Sequence, residues 1–375
     1  MPQSCASSLG TPQAIKYYSR WLRVEKCGEM AAMNTLLAPT WVPLQAKVAW
    51  LQDPLSYPEP TSRVEPIETH CAFVFLTDHY AYKLKKPMRL DRMDNLLLSS
   101  RYHNCLEELR LNRRLAPHVY LEVVALRAGP AGHLSLTGGG LPVEWLVKMR
   151  RLPSDLLLDH ALGAGKPIAQ ESIAAVGRLL SAFYQNQPAV TMTGRDYLGR
   201  LERQIDANGQ ALSDRVFALP VQIIHAALAS QRQFLIDHTV LLGARATKVV
   251  EAHGDLRPEH VYIGTPPCVI DCLEFDRALR LLDPLEELAH LALECERLGS
   301  AWIGREVIDV YSAASGDRFD PALLEFYMTR RATQRALTAA WHLRDPAVRH
   351  LKDWTRLALS YLTRATTGRF NTCLR

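Results

Sequence analysis

Apolar and polar positions follow two different periods along this chain, and the change between them divides it in two. Trp41 to Leu51 has the spacing of a helix and stops at Asp53-Pro54. Pro58 and Pro60 mark a linker. Strand pattern begins near Val64. The run Cys71-Ala-Phe-Val-Phe-Leu76 is apolar and aromatic, Thr77-Asp78 is a turn, and His79 to Leu84 alternates. A long helix is predicted from Leu96 to Ala116, ended by Pro117. Strands follow at Tyr120 to Arg127, His133 to Leu136 and Val143 to Met149, with Thr137-Gly-Gly-Gly140 as a hairpin tip.

Beyond Pro153 the period turns helical, over residues 168–186, 195–210, 218–236 and 284–298, and in a tail from Asp320 to about Thr367. One stretch, Val249 to Leu279, interrupts it with strand and turn signals. Residues 1–32 have no clean period and read as a disordered extension. The pattern predicts an α+β chain. Residues 33–149 form a lobe of helix plus antiparallel sheet, and residues 150–375 a helical lobe carrying a loop and hairpin at 249–279.

Composition narrows the function classes. Hydrophobic residues make up 48% and charged residues 22%, as expected for a globular chain. The net charge of +5, from 44 basic and 39 acidic residues, is too small at 375 residues to argue for nucleic acid. No apolar run reaches the length of a membrane helix. The eight cysteines contain no C-x-x-C pair, and Cys268 and Cys272, the closest two, read as small core residues. These features favour a reducing cytoplasm. Oligomeric state is not legible.

The chemistry concentrates in His253-Gly-Asp-Leu-Arg-Pro-Glu-His260, followed by Val261-Tyr-Ile263, the turn Gly264-Thr-Pro-Pro267 and Val269-Ile-Asp271. An acidic loop thus precedes a hairpin that ends in a second acid. Phosphoryl transfer needs two such carboxylates, one to orient a hydroxyl and take its proton, one to hold a metal bridging the phosphates. Arg257 is placed either to touch a phosphate or to pair with Glu259, and His253 to hold the loop. In β alternation Ala81, Lys83 and Lys85 share one face, and Tyr80, Tyr82 and Leu84 the other. In the helix, Glu108 lies on the apolar stripe with Leu111 and Leu115, whereas Glu107 lies on a polar one.

These motifs resemble the aminoglycoside phosphotransferase and protein-kinase-like superfamily, in a bacterial branch without a fused P-loop domain. His253-Gly254-Asp255 resembles the catalytic loop, Val269-Ile270-Asp271 the metal-binding segment, and Asp283-Pro284 with Glu287-Leu288-Ala289 the following helix start. Tyr80-Ala81-Tyr82-Lys83 resembles the kinase lysine strand. The resemblance implies a bilobal fold and an ATP- or GTP-dependent kinase acting on a small-molecule hydroxyl. Asp255 would be the catalytic acid-base group. Asp271, His260 and Glu274 would hold magnesium or manganese. Lys83, with Lys85 as the alternative, would meet the nucleotide phosphates and be held by Glu108. Met149 to Pro153, including Arg151, would be the hinge along the adenine edge.

Two features depart from the pattern. His260 replaces the expected metal-binding asparagine, and Val64 to Thr77 contains no glycine to cradle phosphates. They motivate the alternative of a nucleotide-binding pseudokinase with little transfer activity. Gly163-Ala-Gly-Lys-Pro167 lacks the Ser/Thr of a P-loop.

Overall fold

The alternating segment Tyr80–Lys85 forms β3, around which the small lobe of this computed structural model is assembled. The structure describes residues 42–90, 93–129, 132–188, 190–344 and 353–370, so the extension expected at 1–32 lies outside them. Strands β1 (Glu65–Glu68), β2 (Ala72–Leu76), β3, β6 (Tyr120–Ala128), β7 (Leu134–Ser135) and β8 (Leu141–Arg150) form one antiparallel sheet in the order β1-β2-β3-β8-β6-β7. A separate two-residue pair, β4 (Arg89–Leu90) and β5 (Met93–Asp94), precedes helix α2 (Leu98–Asn112).

The sheet buries both faces, because each alternate set of side chains meets a helix. Tyr82 and Leu84 pack with Phe75, Leu126, Leu146 and Leu51 of α1 (Leu44–Leu51). Ala81, Val147 and Met149 pack with Cys105 of α2. A buried carboxylate ties these layers together. Glu144 on β8 accepts from Lys47 of α1 at 2.9 Å and from Arg101 of α2 at 2.7 and 2.9 Å.

The large lobe contains α3 (Leu158–Gly163), α4 (Gln170–Gln185), α5 (Gly194–Leu212), α6 (Val221–Asp237) and α7 (Thr239–Ala244). Next come β9 (Val250–Glu251), β10 (Val261–Tyr262), β11 (Cys268–Val269), α8 (Arg277–Arg280) and β12 (Leu281–Leu282). The chain finishes with α9 (Pro284–Arg297), α10 (Ala301–Ser315), α11 (Pro321–Trp341) and α12 (Trp354–Thr367). One continuous apolar core joins α4, α5, α6, α9, α10, α11 and α12. Helix α9 is its axis, buried from Pro284 to Cys295. It starts sharply because the Asp283 carboxylate caps the Leu285 amide and Pro284 occupies the first turn.

The tail is helical as expected, in the two helices α11 and α12. Two sequence expectations need correction. Helix α10 was not anticipated between 298 and 320. The 249–279 stretch is mostly loop, with strands of two residues each, pairing β10 with β11 and β9 with β12. Strand β11 stops at Val269, so Cys272 does not share a strand face with Cys268, although both are buried. Among the described residues, no helix is long and apolar enough to cross a membrane.

Candidate active site

Helix α9 holds the His253-Gly254-Asp255 loop from below. Glu287 accepts from the backbone amides of His253 at 3.1 Å and Gly254 at 2.6 Å, and from the Tyr184 hydroxyl at 2.8 Å. Burial pushes the Glu287 carboxyl upward, and the two amides partly offset that. Gly254 has φ +93°, and a Cβ there would press on the Arg280 and Leu273 side chains, so glycine is required. The His253 ring stands 2.9 Å from the Ile270 carbonyl through Nε2, and its Nδ1 accepts from the Asp255 amide at 3.3 Å. Burial depresses His253 to about 3, so the ring is neutral and acts as a brace.

The Asp255 carboxylate accepts from Arg257 Nη2 at 2.9 Å. Burial opposes its ionisation, but Arg257, then His260, His290 and Arg335, outweigh burial and hold the carboxyl far below its usual range. Of the two roles weighed for Arg257, the structure shows the pairing with Glu259, to which Nη1 donates at 2.8 Å. His260 Nδ1 lies 2.8 Å from the Asp255 carbonyl, which fixes a proton on that nitrogen. Nε2 stands 3.6 Å from Asp271 Oδ2 and 3.4 Å from Arg257 Nη2. So His260 bridges the two acids.

Asp271 adopts φ +61°, which swings its carboxylate out of the hairpin until it is 44% exposed. The small lobe grips this turn through three groups that sequence reasoning missed. Tyr120 hydroxyl accepts from the Asp271 amide at 3.0 Å, and Asn112 accepts from the Cys272 amide at 2.8 Å. Arg114 donates to the carbonyls of Glu251 and Ala252 at 2.8 and 3.1 Å.

The lysines of β3 complete the cluster. Lys83 Nζ donates to Asp271 Oδ1 at 2.5 Å and stands 2.9 Å from Glu108 Oε1. Lys85 donates to the other Glu108 oxygen and to Glu274 at 2.5 Å. Glu108 is fully buried. Desolvation works against its charge, but Lys83 and Lys85 outweigh it and keep the carboxyl low. Asp271 is likewise lowered, against burial, by Lys83 and His260. Glu107 pairs with Arg110 on its own helix and with Arg280 of the large lobe at 3.2 Å, so its stripe is not simply solvated.

The residues expected around a metal therefore separate. Asp271 and His260 face each other, while Glu274 serves as the counter-ion of Lys85. Among the described residues no group of three or more His, Cys, Asp or Glu side chains is arranged to hold a metal ion. The Asp271 carboxylate suits a cation such as magnesium, which takes one or two carboxylate ligands and fills its shell with phosphates and water, whereas the His260 imidazole is a poorer ligand for it.

Met149 sits in β8, its backbone between Ala81 and Tyr120. The Arg151 amide donates to His79 at 2.9 Å and its side chain to the Thr77 carbonyl at 2.7 Å, so both anchor the crossing to the small lobe. A cavity of about 320 Å³ opens beside this crossing, lined by Asp78, Arg151, Leu152, Pro153, Ser154 and Asp155.

No protein-family model matches the chain. It is 30% identical over 276 residues to uncharacterised proteins of Mycobacterium tuberculosis (strain ATCC 25618 / H37Rv) and Mycobacterium bovis (strain ATCC BAA-935 / AF2122/97), covering 72% of this chain and 53% of theirs. The chain thus spans about half the length of these relatives. Among solved structures it is similar to the GDP complex of aminoglycoside 2′-phosphotransferase-IIIa, with a TM-score of 0.51, 16% identity, and coverage of 82% of this chain and 93% of that one. It is also similar to a choline/ethanolamine kinase family protein from Mesorhizobium loti, with a TM-score of 0.50, 18% identity, and coverage of 86% and 92%.

Proposed function

We propose that this chain, which has the bilobal protein-kinase-like fold of the aminoglycoside phosphotransferase and choline kinase superfamily, is a metal-dependent phosphotransferase. It moves a phosphoryl group from ATP or GTP to the hydroxyl of a small molecule. The observation that carries this reading is the ion network of Lys83, Lys85, Glu108, Asp271 and Glu274, which joins the two lobes and is linked through His260 to Asp255.

Each residue has a role that follows from its position. Lys83 is the more exposed of the two lysines and lies at Asp271, so it meets the nucleotide phosphates, with Glu108 holding it. Lys85 is the buried counter-charge that lets Glu108 and Glu274 stay ionised. Leu152 to Asp155 and their cavity receive the base along the crossing. Asp271 and His260 would hold magnesium or manganese. When bound, that cation supplies charge neutralisation on the transferring phosphates. Asp255, ionised at neutral pH, orients the acceptor hydroxyl and accepts its proton. Its lowered pKa makes it a weak base, which suits a loose transition state in which positioning matters more than proton removal. A cytoplasmic setting belongs to the proposal, and Cys71, Cys105, Cys268, Cys272 and Cys295 are all free thiols.

The test is Asp255→Asn. Nucleotide affinity should be unchanged while metal-dependent consumption of ATP with pooled hydroxyl compounds falls by about 100-fold or more. Full turnover in the folded variant would remove Asp255 from the chemistry. A second reading, a nucleotide-binding module with little transfer activity, is favoured by the pairing of Asp255 with Arg257. It predicts a wild type that binds nucleotide and transfers nothing.

A further inference from the structure

The transfer step leaves the outer end of the β1–β2 hairpin without a role. Its inner end is anchored at the crossing, where Arg151 donates to the Thr77 carbonyl at 2.7 Å and to Glu65 at 3.2 Å. From there the hairpin extends the roof of the cleft. Val74 shares a sheet face with its ladder partner Lys83, and Val74 and Leu76 pack in one cluster with Ala81, Met149 and, from the large lobe, Tyr262. At the tip, the His70 ring meets the His342 ring edge-on, with centroids 6.0 Å apart and planes at 88°. His342, one residue past α11, is stacked at 4.1 Å on Trp354, the first residue of α12. All three rings are half-buried. A row of rings thus links the tip of the small lobe to the ends of two helices of the large one.

The hairpin is stiff. Thr69 closes the turn on Ala72 twice, its amide donating to the Ala72 carbonyl at 2.8 Å and its hydroxyl accepting from the Ala72 amide at 3.0 Å. The Lys86 amide donates to the Cys71 carbonyl at 2.8 Å, and the Lys86 side chain pairs with Glu68 at 2.5 Å. No glycine lies between Val64 and Thr77 to give the backbone a soft joint. Such a hairpin does not open by bending at its tip but moves as one flap. At the other side of the cleft, Asn112, Arg114 and Tyr120 fix the small lobe to residues 251–272. The flap is the part left to move, and the rings at its tip are what hold it.

We propose that His70, His342 and Trp354 form a latch that keeps the β1–β2 hairpin down over the cleft, and that nucleotide enters and leaves when this latch lets go. The second half of this inference rests on the phosphotransferase reading above. The latch supplies by a contact between lobes the cover that a flexible glycine-rich loop would supply by folding over the phosphates. One aromatic contact changes an open–shut equilibrium by about two- to tenfold, enough to slow exchange without preventing it.

The experiment is amide hydrogen exchange over residues 65–76 on the whole chain without nucleotide, in the wild type, His70→Ala, Trp354→Ala and the double variant. Each single variant should exchange about two- to tenfold faster there, the worth of one aromatic pair. The double variant should be no faster than the faster single one, because the three rings act as a unit. Dissociation of a fluorescent ATP analogue bound with magnesium, chased by ATP, should quicken by the same factor. His70→Ala, on the hairpin tip, serves if Trp354→Ala does not fold. The inference is overturned if exchange over residues 65–76 is unchanged in His70→Ala, if the two substitutions act independently, or if exchange quickens and release of the analogue does not. A wild type that binds no analogue would instead bring down the phosphotransferase reading and the claim on nucleotide with it, and hydrogen exchange alone would then decide the latch.

Discussion

Two lysines two residues apart on one strand face share one buried glutamate, and their different second partners separate their roles. Lys83 ends on Asp271, which is exposed to the cleft, whereas Lys85 ends on Glu274 in the interior. Lys83→Met should therefore weaken nucleotide binding and leave the fold intact. Lys85→Met should destabilise the protein by about 3–5 kcal/mol, because Glu108 and Glu274 lose their buried counter-charge. Nucleotide titration and urea unfolding of both variants check this, and a reversed pattern would exchange the roles. Much at this scale was legible in the sequence. Alternation put both lysines on one face, and the helical stripe put Glu108 inward. The partners of Tyr120, Asn112 and Arg114 were not legible, because each bonds to backbone that is distant in sequence and no side-chain pattern marks an acceptor carbonyl.

At the scale of elements, the small lobe depends on β8 as much as on β3. Glu144 is buried and is held by Lys47 from α1 and Arg101 from α2, so one carboxylate fixes both helices to the sheet. Glu144→Ala leaves two buried cations unpaired and should lower stability by about 3–5 kcal/mol, seen as a shifted denaturant midpoint. A change within about 0.5 kcal/mol, as for an ordinary surface site, would mean that the helices are held by apolar packing alone. Sequence period located α2, α4, α5, α6 and α9 to within a few residues. It missed α10, although Ile303, Val307, Ile308 and Tyr311 recur at helical spacing on its buried face, with Arg305 and Asp309 on the exposed one. It also overcalled strands at 249–279. There β-rich residues serve as short braces for two loops, and side chains such as Glu287 and Asn112 take the place of ladder partners.

At the scale of the whole molecule, the lobes are locked around one turn. Lys83, Asn112, Arg114 and Tyr120 from the small lobe all end on residues 251–272 of the large one, and Arg280 returns the contact to Glu107. This closure places Asp271 and His260 opposite Lys83, beside Asp255, and the central claim is that the arrangement binds a nucleotide through a metal. Lys83 neutralises Asp271, so nucleotide and cation should bind together, each supplying the charge that frees the other. The most direct measurement is calorimetric titration of ATP with magnesium and then manganese, on the wild type and on Asp271→Ala. Binding should require the metal in the wild type and be lost in a folded Asp271→Ala. Absence of binding with either metal, or binding that Asp271→Ala leaves untouched, would contradict it.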